Sequence, residues 1–174
     1  MNLHDDEVVD EPDETLIRVR YAETDKMGMV YHANYLIWFE IGRTEYCRAR
    51  GFSYRDMEES ENAFLVVAEC YCRYKAPAYY DDVLMVRTSI TELRRRSLRF
   101  GYEIFRQADG VVIAEGETGH VVTDGGGRVR SFRRDWLSYC SLPRTSLKTP
   151  AGACQRVKRR FESVGSWPVG SLAH

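Results

Sequence analysis

The chain has 174 residues, 44% of them hydrophobic, and a formal net charge of −1. That length suits one domain with a sizeable core, and the near-neutral charge excludes a general attraction to nucleic acid or to an anionic membrane surface. No apolar run reaches the length of a membrane span.

Residues 1–14, MNLHDDEVVDEPDE, are acidic and poor in aromatics, the composition of a disordered tail. An export signal would be basic and then apolar, so a cytoplasmic location is expected instead. In that compartment Cys47, Cys70, Cys72, Cys140 and Cys154 stay reduced. Cys70 and Cys72 form a C-x-C in a strand-like run, whereas zinc sites use C-x₂₋₄-C with a second pair. Core cysteines are expected there, with no metal and no cofactor.

The domain is expected over residues 15–140. Thr15 to Glu23 alternates, with Leu16, Arg18 and Arg20 on one face and Ile17, Val19 and Tyr21 on the other. The stretch Tyr21 to Tyr35, YAETDKMGMVYHANY, then connects this strand to a helix. Turn formers alone would serve a connection. This one is laced with Met27, Met29, Val30 and Tyr31, so it is expected to be partly buried, and a buried Asp25 needs a reason to be there.

Asn34 as N-cap and Gly51 as the residue past the C-cap bound a helix of nearly five turns. Leu36, Phe39, Tyr46 and Ala49 make its stripe; Tyr35, Trp38 and Ile41 widen it beyond what a surface helix carries. Gly42 costs about 1 kcal/mol of propensity, which close backbone packing would offset. Glu40 and Arg43 stand at i,i+3, the spacing of a helix ion pair.

Four strands are predicted next, over Phe64–Lys75, Val83–Leu93, Leu98–Gln107 and Val111–Thr123, with Asp109-Gly110 as a hairpin signal. Gly125-Gly126-Gly127 turns toward a short last strand. In the first of the four, Phe64, Val66, Ala68, Cys70, Cys72 and Tyr74 should share a face. Ala114, Gly116 and Thr118 are small and also share one, leaving room for the helix. The pattern predicts an α+β domain in which a curled antiparallel sheet of five to six strands wraps one long helix. Between two strands lies Arg94-Arg95-Arg96, either a solvated turn or a phosphate contact. Residues 141–174 gather Pro, Ser, Gly and basic residues, including the cluster at 155–160, and read as a solvated tail or a short docking helix.

Tyr21-x-x-x-Asp25-x-x-Gly28-x-Val30-Tyr31-His32-x-x-Tyr35 followed by Phe39-Glu40-x-x-Arg43 resembles the hotdog-fold acyl-CoA thioesterases. The likeness is to the 4-hydroxybenzoyl-CoA thioesterase-like branch, which includes bacterial short-chain acyl-CoA thioesterases. Tyr74-Lys75-Ala76-Pro77 with Asp81-Asp82 matches its second segment, and the likeness covers about residues 15–140.

The resemblance implies hydrolysis of an acyl-CoA. Asp25 would activate water or attack directly, and the N–H groups of His32 and Ala33 at the helix N-terminus would polarise the carbonyl. Gly28 would let the loop approach the substrate, His32 would orient water or the carbonyl, and Tyr21 would hydrogen-bond near the acid. Val30, Tyr31 and Tyr35 would line the substrate, Tyr35 also serving the core. The resemblance further implies a homodimer joined edge to edge, stacked into a homotetramer, with the site between subunits and an acyl carrier protein as an alternative thioester donor. A hydratase or dehydratase on acyl thioesters and a non-catalytic acyl-CoA-binding regulator are the rival readings.

Overall fold

The computed structural model describes residues 12–132. The expectations for the first eleven residues, for Cys140 and Cys154, and for the tail with its basic cluster lie outside the described residues.

In chain order the elements are β1 (Asp13–Arg18), a 3-10 turn (Tyr21–Glu23), α1 (Asn34–Ala49), α2 (Tyr54–Glu61), β2 (Phe64–Tyr74), β3 (Val83–Leu93), β4 (Ser97–Arg106) and β5 (Val112–Thr123). The five strands form one antiparallel sheet in the order β1-β3-β4-β5-β2. β1 and β2 occupy the two edges, so the chain between them must cross the sheet, and α1 makes that crossing. Alternate residues of β3 and β4 (Leu84, Val86, Thr88 and Ile90; Leu98, Phe100, Tyr102 and Ile104) are buried beneath it.

Gly42 shows how close the crossing is. A Cβ there would come 2.5 Å from Thr88 Oγ1 and 3.0 Å from Val86 Cγ1. A Cβ on Gly116 would meet the Phe39 ring at 2.5 Å, which bears out the small face read from the sequence. The helix is nevertheless not wrapped all round. It lies mainly over β1, β3 and β4; its buried residues are Tyr35, Trp38, Phe39, Gly42, Tyr46 and Cys47, while Leu36, Ile37 and Ile41 remain exposed.

Four further details depart from the sequence reading. β1 ends at Arg18 because the chain turns at Tyr21–Glu23, where the Arg20 N–H donates to Glu23 Oε2 (2.7 Å). The short helix α2 has its own cap, the Asp56 N–H donating to Ser53 Oγ (3.2 Å), and closes on Asn62 in the left-handed region. In β2 a register shift between Val67 and Glu69 makes Ala68 a bulge. Cys70, Cys72 and Tyr74 therefore stand opposite Thr118, Gly116 and Ala114 on the helix side, but Phe64 and Val66 do not share their face. At the sheet's edge Cys70 is exposed and Cys72 only half-buried, so neither is the core cysteine expected. After the triple glycine only a single bridge, Thr123 to Val129, forms among the described residues, so no sixth strand is present there.

Candidate active site

The segment between β1 and α1 is organised around a carboxylate that the sequence pattern did not single out. Glu23 is 5% exposed. Its side chain accepts the Arg20 N–H (2.7 Å), the Arg20 guanidinium (2.8 Å) and the Trp38 Nε1–H (3.4 Å). Burial pushes its carboxyl up, but the hydrogen bonds from Arg20 and Trp38 outweigh that and hold it below the ordinary value. Its carbonyl accepts the Tyr31 N–H (2.9 Å) and the Asn34 Nδ2–H (2.7 Å). One residue thus ties the start of the loop, its end and α1 together. The Arg20-x-x-Glu23 spacing was the available signal, because it lets the Glu23 side chain reach back to the Arg20 N–H.

Beyond Glu23 the chain makes a tight hairpin. Thr24 bridges Val30, the Asp25 N–H donates to the Met29 carbonyl (2.8 Å), and the Gly28 N–H donates back to the Asp25 carbonyl (2.9 Å). Gly28 has φ +79, and a Cβ there would meet nothing within 4 Å, so within the chain backbone conformation is what asks for glycine. Asp25 sits at the hairpin's start, half-buried, with Oδ1 accepting the Met27 N–H (2.8 Å). It is therefore a turn former as well as a candidate acid.

Val30 is buried and donates its N–H to the Ala78 carbonyl (2.9 Å), while Met29 bridges Tyr79. Tyr31 and His32 are exposed with rings 4.3 Å apart, and the His32 carbonyl accepts the Tyr74 hydroxyl (3.1 Å). Ala33, not Asn34, is the N-cap; Asn34 spends its side chain on Glu23. The N–H groups of His32 and Ala33 donate to nothing among the described residues, which leaves them available at the helix end. Tyr35 is buried between Trp38 and Tyr74, each 5.0 Å away.

Two expectations, for Tyr21 and for the Glu40–Arg43 pair, are not met within the chain, and the arginines form a solvated turn, one of their two readings. Tyr21 is 77% exposed with its ring against Tyr80 (5.9 Å), and its hydroxyl makes no hydrogen bond to Asp25. It follows the strand's end in a turn, which carries it away from the hairpin. Arg94, Arg95 and Arg96 form the exposed β3–β4 turn, Arg94 pairing with Glu92. The hairpin borders Ala78 and Tyr79 just ahead of β3, so the length of β3, about 30 Å, separates it from the arginines. Glu40 and Arg43 do not pair; Arg43 turns beneath α1 toward Tyr102. Among the described residues no group of three His, Cys, Asp or Glu side chains could hold a metal, and no helix is long and apolar enough to cross a membrane.

The chain is similar to several known proteins. The acyl-CoA thioester hydrolase YbgC of Escherichia coli is 39% identical over 108 residues, 62% of this chain and 79% of that one. The acyl-CoA thioesterase YbgC of Haemophilus influenzae is 38% identical over 90 residues, 52% of this chain and 66% of its own. The structure of a DHNA-CoA thioesterase from Staphylococcus aureus superposes with a TM-score of 0.71 at 33% identity, covering 75% of this chain and 89% of that one. That of 4-hydroxybenzoyl-CoA thioesterase from a Pseudomonas strain gives 0.67 at 23% identity, over 74% and 99%, a likeness of fold alone. The antiparallel sheet around one helix is accordingly the hotdog fold. The thioesterase-like superfamily matches residues 19–156, and the chain belongs to it.

Proposed function

We propose that the chain hydrolyses acyl-CoA thioesters to a carboxylic acid and free coenzyme A. The observation that carries this is the common anchoring of Asp25 and the helix N-terminus by Glu23, which fixes a carboxylate on one side of the loop and unpaired N–H groups on the other. The names of the relatives at 38–39% identity support it. The thioester oxygen would accept from the His32 and Ala33 N–H groups, where charge develops as the carbonyl is attacked. Asp25 takes a proton from the attacking water; the C–S bond then breaks and the thiolate leaves with a proton. In the alternative route Asp25 attacks the carbonyl carbon itself, and water opens the resulting anhydride. His32 orients the water, and Gly28, Val30, Tyr31, Ala33 and Tyr35 surround the thioester, with Tyr21 left at the rim.

The complete site takes two copies. Among the described residues β2 is an unpaired edge, with Val66, Val67, Tyr71 and Tyr74 exposed. A two-fold axis that pairs two β2 strands antiparallel exchanges the ends of the two sheets. The arginine turn of one copy then lies at the same end as Asp25 of the other, where it can meet the phosphates of coenzyme A. Further stacking into a homotetramer follows the same logic for the remaining faces. The domain is taken as residues 15–140 between two tails, acting in the cytoplasm.

The test is release of free thiol from a panel of acyl-CoAs. Asp25→Asn keeps the shape and removes the base or nucleophile, so turnover should fall at least about 10²-fold with KM largely kept. A variant that works at near wild-type rate would overturn the assignment, and light scattering that finds an active monomer would overturn the shared site.

A further inference from the structure

The two N–H groups proposed to receive the thioester oxygen belong to successive peptide units, and the chain holds those units in different ways. A peptide unit is planar, with its N–H pointing opposite to its C=O. The direction of each donor is therefore set by whatever grips the carbonyl of the residue before it. For the His32 N–H that carbonyl is Tyr31's, which accepts the Asn34 N–H (3.0 Å). Asn34 is itself tied to Glu23, so this first donor is aimed from within the loop.

For the Ala33 N–H the carbonyl is that of His32. No backbone N–H among the described residues donates to it; the Leu36 N–H goes to the Ala33 carbonyl instead (3.2 Å). What reaches the His32 carbonyl is the Tyr74 hydroxyl, at 3.1 Å and from 42 residues along the chain. The N–H at the other end of this peptide donates to nothing among the described residues. The unit can thus pivot about the bonds on either side without breaking any other hydrogen bond, and the Tyr74 contact opposes that rotation.

Tyr74 ends β2 opposite Ala114, on the helix side of the sheet. Its ring stands edge-on to Tyr35, with centroids 5.0 Å apart, and Tyr35 is buried against Trp38, which donates to Glu23. The ring is fixed against the same anchor that orients the loop. Four residues further on, the Ala78 carbonyl accepts the Val30 N–H (2.9 Å). The stretch from Tyr74 to Ala78 therefore braces both the Asp25 hairpin and the start of α1. Burial first, and the Cys72 thiol second, push the Tyr74 hydroxyl up to about 12, so it keeps the proton it donates.

We infer that Tyr74 is a positioning residue of this site, its hydroxyl gripping the His32 carbonyl so that the Ala33 N–H points at the thioester oxygen. Its side chain touches no reacting atom. The inference rests on the thioesterase reading of the Asp25 site and makes that site depend on the end of the edge strand β2. The Asn34 contact keeps the His32 N–H aimed whatever happens at Tyr74, so one donor of two is at stake. Deleting an oxyanion donor outright slows turnover by about 10²–10³-fold, and misaiming one should slow it by about 10–10²-fold.

The test is Tyr74→Phe, which keeps the ring against Tyr35 and removes only the donor. With an acyl-CoA that wild type hydrolyses, kcat should fall by about 10–10²-fold while KM stays within about twofold, because the loss is felt only as charge develops on the oxygen. Binding gives a second readout. A trifluoromethyl ketone analogue of the substrate presents a tetrahedral oxygen to the site, and the matching thioether, with a methylene in place of the carbonyl, presents none. Tyr74→Phe should weaken the ketone by the same factor as kcat and leave the thioether within about twofold. A merely structural role would lower the urea-unfolding midpoint and weaken ketone and thioether alike, and that result would overturn the inference. So would an active wild type whose kcat is unchanged in Tyr74→Phe. A wild type that releases thiol from no acyl-CoA would bring down the thioesterase reading itself, and this inference with it.

Discussion

Replacing Glu23 with alanine should destabilise the protein far more than its small share of the surface suggests. The change removes the acceptor for the Arg20 N–H (2.7 Å) and for the Trp38 Nε1–H (3.4 Å). A buried donor left unpaired costs about 1–3 kcal/mol; the Trp38 contact is buried but long and the Arg20 one only partly buried, so both fall in the lower half of that range. The ion pair with Arg20 adds little, because the Arg20 side chain is 74% exposed and screened by water. The total is about 2–4 kcal/mol, which for a chain of this size lowers the melting midpoint by about 4–16 °C. Glu23→Gln keeps an oxygen for Trp38 but presents an amide N–H₂ toward Arg20, so it should lie between wild type and Glu23→Ala. Urea unfolding measures the order directly, with a changed midpoint and an unchanged slope. The carboxyl is held below its ordinary value in the fold, so its contribution is present above the unfolded pKa and is lost as pH falls through the folded one. The gap between wild type and Glu23→Gln should therefore close in acid. Thiol release should fall with stability in both variants, since the same residue anchors the Asp25 hairpin. A Glu23→Ala protein as stable as wild type would refute the reasoning.

Two further outcomes follow from the same structure. Changing Arg94, Arg95 and Arg96 to glutamine should raise KM for acyl-CoA, at about 1.5–3 kcal/mol per phosphate contact, with the effect shrinking at high salt. The matching acyl-pantetheine should be unaffected; equal losses on both would make the arginines supports of the fold, and no loss on either would turn attention to an acyl carrier protein as donor. His120, held down from 6.5 to about 4 by burial first and Arg43 second, is neutral in the fold and protonates more readily when unfolded. Its contribution is complete above about pH 6.5 and declines by about 3 kcal/mol as pH falls to 4, so His120→Gln should flatten the stability profile in that window as read by chemical denaturation.

The strands β3 and β4 were legible because they are half-buried and alternate cleanly, so the sequence period and the burial period coincide. α1 was legible because Gly51 closes it with a φ of +77 that other residues rarely adopt. Its covering was not: Leu36, Ile37 and Ile41 are apolar for a surface that a single chain does not bury. The faces of β2 were misread because one inserted residue, Ala68, reverses the alternation and leaves no trace in residue type. At the site, Asp25 and Gly28 carry a turn signature that any reader of sequence can find. The buried Glu23 carries none by itself, because its importance comes from Trp38, fifteen residues away, and from an Asn34 that caps nothing.

The bulge at Ala68 also bears on solubility. An exposed edge strand is an open template for any extended peptide, and its danger grows with the length over which its N–H and C=O groups keep an even rhythm. The extra residue breaks that rhythm inside β2, so a regular foreign strand can match one half of the edge but falls out of step with the other. A second copy of the chain carries the same irregularity and can answer it. If two copies pair there as proposed, the edge is keyed to its own kind, and exposed Val66, Val67 and Tyr71 offer no continuous seam for aggregation.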